Sequence, residues 1–112
     1  MSSDLRQAKC QPCEGGVEAI SLEAAHNLMP QIKTWQLSEE GKEIQRTFTF
    51  KDFHQTMAFV NALAWVAHRE DHHPDLEVGY NRCLVRYSTH AIGGLSHNDF
   101  ICAAKIDDLV AD

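Results

Sequence analysis

Apolar residues in this chain repeat first at helical spacing and then at every second position, and the same two periods then return. Ser21 can cap a short helix bearing Leu22, Ala25, His26 and Met29. Glu18 and Glu23 sit near its positive end and Pro30 stops it, so it should end near Leu28. From Lys33 the period becomes two. Trp35 and Leu37 share a face, "SEEGKE" (38–43) is a turn, and Ile44, Phe48 and Phe50 alternate with Gln45, Thr47 and Thr49, predicting a β-hairpin with one buried face. Asp52 is a good N-cap. Phe53, Met57, Val60, Ala64 and Ala67 follow as one stripe, with Phe59, Leu63 and Val66 beside it, predicting a helix over 53 to about 69. Pro74 ends that pattern and biases His73 towards extended backbone. Leu76, Val78 and Tyr80 then alternate, Asn81-Arg82 offers a turn, and Cys83, Val85, Tyr87 and Thr89 alternate against Leu84, Arg86, Ser88 and His90, a second hairpin. Gly93-Gly94 breaks the strand. Ser96 with Asp99 three residues later resembles a capping box, opening a last helix that carries Phe100, Ala103, Ile106, Leu109 and Val110.

This order predicts an α+β single domain: a four-stranded antiparallel sheet with three helices packed on one face, α-β-β-α-β-β-α. The length of 112 residues with 44% hydrophobic content suits one core and is too little for two. Residues 1–19, ending in a stretch with Gly15-Gly16, read as a flexible N-terminal arm with nothing to pack, and 20–112 as the domain. The sheet face without helices, where Leu84, Arg86 and Ser88 alternate, predicts a homodimer or homotetramer.

Charge narrows the function. Sixteen acidic against ten basic residues give a formal charge of −6, which repels phosphate backbones and anionic lipid, so direct nucleic-acid binding is not expected. No apolar run approaches bilayer length and the N-terminal stretch lacks the features of a signal peptide, so the expected compartment is the cytoplasm, with reduced thiols. Cys83 and Cys102 fall in strand and helix patterns as small core residues. Cys10 and Cys13 read as an exposed dithiol in the arm, because neither the strand and helix of a thioredoxin-type pair nor two further zinc ligands stand nearby.

Seven histidines are an excess for this length. Three of them crowd "HREDHHPDLEVGYN" (68–81), where the long helical pattern stops. A hairpin folded about Asn81-Arg82 sets His90 opposite His73, and helical spacing puts His68 one turn before His72. Four imidazoles would then converge beside Asp71 and Asp75. They could cap the helix C-terminus, bind zinc through three histidines and a water, or perform metal-free acid–base chemistry with split pKa values. Spacing does not choose between the last two.

The array His68, His72-His73-Pro74, Tyr80, His90 and Asp99 resembles the signature of the pterin-4a-carbinolamine dehydratases. The resemblance extends to Trp35, "FTFKDF" (48–53), "STH" (88–90, which includes Thr89) and Gly94-Leu95-Ser96, and spans about residues 20–110. Animal members carry a glutamate where this chain has His68, so the role of that position is the one the resemblance leaves open. It implies dehydration of 4a-hydroxytetrahydropterin to quinonoid dihydropterin and water, recycling the pterin of aromatic amino acid hydroxylases, without metal or redox cofactor. It further implies His72 and His90 as proton-transfer residues and His73 as a positioning and proton-exchange residue. Asp71 and Asp99 would orient the imidazoles, Trp35 would wall the pterin, and Pro74, Thr89 and His68 would complete the substrate site. His54, His97, Arg82 and Arg86 are expected on the surface. Related animal proteins are also described as dimerisation cofactors of a homeodomain transcription factor. The competing expectation is therefore a binding partner without turnover, for a hydroxylase or a regulator.

Overall fold

The computed structural model describes residues 4–11 and 18–111. Helix α1 spans Leu22–Leu28, strands β1 and β2 Gln36–Leu37 and Ile44–Thr49, helix α2 Phe53–Glu70, strands β3 and β4 Asp75–Val78 and Arg82–Tyr87, and helix α3 His97–Val110. The expected element order and fold class hold. The sheet is antiparallel throughout in the order β1-β2-β4-β3, so the second strand of each hairpin meets at the centre, with Ile44 opposite Tyr87 and Phe48 opposite Cys83. Ile44, Phe48, Cys83, Val85 and Tyr87 turn inward and bury with Leu63, Phe100 and Ile106 from the helices.

Local chemistry sets the boundaries. Ser21 and Asp52 cap α1 and α2 as expected, each side chain accepting from a first-turn N–H. The first hairpin turn closes on Ser38, whose hydroxyl accepts from the N–H groups of Lys42 and Glu43, and Gly41 supplies the positive φ of 71° that this turn requires.

Three expectations are corrected. The buried stripe of α2 is Thr56, Phe59, Leu63, Ala67 and Glu70, whereas Phe53 and Ala64 face out. Phe59 aims between Phe48 and Phe50, with ring centroids 4.5 and 5.1 Å away, and two polar residues occupy positions that an apolar count skips. The second hairpin turns on Tyr80-Asn81, one residue earlier than expected: Gly79 N–H donates to Arg82 O and Val78 pairs with Cys83. Tertiary contacts fix that turn, since Asn81 O accepts from Phe50 N–H at 2.8 Å and Tyr80 O lies 2.9 Å from the Thr56 hydroxyl. Replacing Thr56 with valine should therefore cost about 1–2 kcal/mol in urea denaturation, because it strands a turn carbonyl next to the core.

The third correction concerns the N-terminal arm. Within it, Leu5 is only 3% exposed and packs in the core, and the short 3-10 turn Leu5–Gln7 lies on α3. Cys13 lies outside the described residues.

Candidate active site

Helix α2 ends at Asp71, which takes a left-handed conformation (φ 54°, ψ 44°) while its N–H bonds back to the α2 carbonyls of Ala67 and His68. Glycine usually fills such a cap, and a non-glycine residue held there is a strained conformation of a kind that clusters at functional sites. The reversal brings the next residue, His72, against α3. His72 N–H then returns to Ala67 O, and the His72 carbonyl accepts from the Tyr87 hydroxyl at 3.2 Å.

His72 is thereby aimed at Asp99 in the first turn of α3, with Nε2 2.6 Å from Oδ1. Its ring stacks on Tyr87, centroids 5.3 Å apart and 15° from parallel. Asp99 is fully buried and its other oxygen accepts from the Thr89 hydroxyl at 2.8 Å and from Ser96 N–H at 2.9 Å. Because the Thr89 proton goes to the carboxylate, Ser96 supplies the proton of the Thr89–Ser96 bond at 2.9 Å. The expected capping residue is therefore also the partner of a histidine. Burial pushes the His72 pKa down, but the hydrogen bond and charge of Asp99, with lesser help from Cys102 and Asp71, outweigh it and hold the imidazole above its ordinary value. Every buried side-chain nitrogen and oxygen among the described residues has a partner. The Nδ1 atom of His72, which has none, is thus the ring nitrogen reachable from outside.

A cleft of about 490 Å³ opens there, a size suited to a small molecule. It is lined by His72, His73, His90, Asp71, Ser88 and Thr89, together with Cys10, Gln11, Glu70 and Asn98. Three of the four expected imidazoles thus share one cleft. His90 reaches it by a different route from the one expected: β4 ends at Tyr87, the chain bridges Thr89 to Gly94, and His90 starts a 3-10 turn. The register opposes Asp75 to Arg86, so His90 does not face His73 across the hairpin; its Nε2 lies 4.0 Å from Asp75 Oδ2.

His68, Trp35 and Pro74 lie outside that lining. His68 stacks on the exposed Trp65 at 5.3 Å, because the α2 cap rotates His72 away from the face the helix gave to His68. Trp35 is buried and donates its ring N–H to Asp107 at 2.8 Å, bracing β1 against α3 with the Arg46–Asp107 pair. It is a core residue and not a wall of this cleft. Among the described residues no three His, Cys, Asp or Glu side chains converge to hold a metal ion. Sequence reasoning placed none of Cys10, Gln11, Glu70 and Asn98 in the site, although Glu70 stands in the 68–81 stretch and Asn98 inside the Ser96–Asp99 cap.

Fold and site together define a small α+β protein with a histidine cleft at the meeting of a helix C-terminus, a strand end and a helix N-terminus. The family model described as pterin 4 alpha carbinolamine dehydratase matches residues 18–109, and the chain belongs to that family. A protein of Nitrosomonas eutropha is 62% identical over 108 residues, 96% of this chain and 94% of that one. One of Legionella pneumophila (strain Corby) is 57% identical over 113 residues, the whole of both chains. Both bear the family's name provisionally. A transcriptional coactivator/pterin dehydratase from Brucella melitensis has a solved structure that superposes with a TM-score of 0.79 at 28% identity, over 84% of this chain and all of that one. A pterin dehydratase-like protein described as a RuBisCO assembly factor in the alpha-carboxysome shares the fold, with a TM-score of 0.61 at 21% identity over 70% of this chain and 92% of that one.

Proposed function

We propose that this protein dehydrates 4a-hydroxytetrahydropterin to quinonoid dihydropterin and water by histidine acid–base catalysis. The observation that carries the reading is the His72–Asp99 pair: a buried, fully bonded carboxylate raises the proton affinity of an imidazole that lines a cleft shared with two more histidines. The reaction needs a proton delivered to the departing 4a-hydroxyl and another removed from N5. His72, favoured in its charged form, donates to the hydroxyl, His90 accepts the N5 proton, and His73 positions the ring. No metal or redox cofactor enters this scheme. The pathway is pterin recycling beside an aromatic amino acid hydroxylase, in the cytoplasm. Self-association as a dimer or tetramer fits the exposed Phe53, Trp65 and Tyr80.

The test is the decay of chemically generated 4a-hydroxytetrahydropterin, followed by ultraviolet absorbance with and without chelator-treated protein. Acceleration over the spontaneous rate that survives chelation is expected. Its absence from folded protein sinks the enzyme reading and leaves the partner-binding one.

A further inference from the structure

The family match begins at residue 18, yet two residues before it line the histidine cleft. Their placement is built. Asn98, itself buried, clamps Gln11 through a pair of bonds, accepting from Gln11 N–H at 2.9 Å and donating to Gln11 O at 2.5 Å, as one residue of a strand would pair with another. Glu70, also buried, accepts from Cys10 N–H at 2.9 Å through one carboxylate oxygen and from Lys105 Nζ at 2.7 Å through the other. Burial opposes the charge on Glu70, but the Cys10 N–H and Lys105 outweigh it and hold its carboxyl below the ordinary range. The Cys10 thiol completes the dock, 3.7 Å from Asn98 O and 3.6 Å from Cys102 Sγ. Further back, Leu5 is sunk in the core and its N–H donates to Gln31 Oε1 at 3.1 Å.

We propose that Cys10 and Gln11 form a wall of the substrate cleft, positioned by Asn98 and Glu70, and that this wall governs how firmly the pterin is held. The inference rests on the dehydratase reading above. Buried polar groups are rarely left without partners. Asn98 and Glu70 flank Asp71, His72 and Asp99 in sequence, and the Asn98 amide and one Glu70 oxygen bond to the backbone of the arm. With the arm docked, Cys10 and Gln11 line the cleft beside Asn98. With the arm released, that side opens to water, which weakens every interaction with a bound ring.

Asn98 and Glu70 are positioning residues, and two perturbations at opposite ends of the arm test their role. Asn98→Ala removes the clamp. Leu5→Ser removes the anchor six residues away and keeps the test sharp where Asn98→Ala lowers the stability of α3. Each should raise KM about tenfold while kcat falls far less, the mark of lost substrate binding. Each should also speed alkylation of Cys10 by iodoacetamide, read by peptide mass spectrometry. In an Asn98→Ala protein carrying Cys13→Ser, diamide should join Cys10 to Cys102, since their sulfurs need only a small approach to bonding distance. That lock should bring KM back towards the wild-type value. Faster alkylation with KM unmoved overturns the wall. A wild-type protein with no turnover overturns the dehydratase reading, and the inference with it, before any variant is made.

Discussion

Alanine at His72 should slow dehydration by about a hundredfold to ten-thousandfold, the range that a positioned acid or base supplies. It should also destabilise the fold, because the fully buried Asp99 carboxyl would lose its imidazole partner. Glutamine at the same position separates the two effects. Its amide N–H can still reach Asp99, so much of the stability should return, but an amide neither gives nor takes a proton near neutral pH and the rate should stay low. The measurements are kcat from the 4a-hydroxytetrahydropterin decay assay and the urea midpoint of each variant. A His72→Gln protein that turns over at the wild-type rate would remove His72 from the chemistry.

Alanine at Asp99 should be the most destabilising single change at the site, at about 3–5 kcal/mol, because it removes the buried carboxylate on which the His72 imidazole, the Thr89 hydroxyl and Ser96 N–H all converge. Ser96 N–H and the Thr89 hydroxyl lose an acceptor in the same step, and the first turn of α3 loses its cap. The conservative Asp99→Asn change exposes the electrostatic part through pH. The folded-state pKa of His72 is raised above its unfolded value, so the stability it contributes is fully present below the unfolded value of about 6.5 and is lost as pH rises through the folded value. Wild-type protein should thus lose stability as pH rises from about 6.5 through the raised folded-state value by an increment that Asp99→Asn lacks. Equal slopes for the two proteins in urea titrations across that window would show that Asp99 does not hold the imidazole in its charged form.

The cap residues Ser21, Asp52 and Ser96, both hairpins and the strand that carries Cys83, Val85 and Tyr87 were legible because each depends on neighbours a few residues away. The histidines were legible as a group for the same reason: a helix end and a proline set His72 and His73 close together in sequence. Long-range choices were not. The turn at Tyr80-Asn81 is selected by Phe50 and Thr56, which no local rule connects to it. Trp35 looked like an aromatic wall because residue type does not reveal which side of a sheet a ring lies on; its bond to Asp107 places it in the core. The arm was read as unpacked because Leu5 is an isolated apolar residue without periodicity, and its burial depends on α3. Asp71 carried no glycine signal, so the left-handed step that aims His72 went unseen.

That step also fixes the phase of α2. Each residue of an α-helix advances the next by about 100° and 1.5 Å. A one-residue insertion anywhere between Phe53 and Glu70 would carry the reversal at Asp71 round the helix axis and swing the imidazole of His72 away from a carboxylate that stays anchored to Thr89 and Ser96. Length variation in this helix is therefore restricted by the angle at which it ends, and tolerated insertions in related sequences should fall in the 38–43 turn, outside any helix.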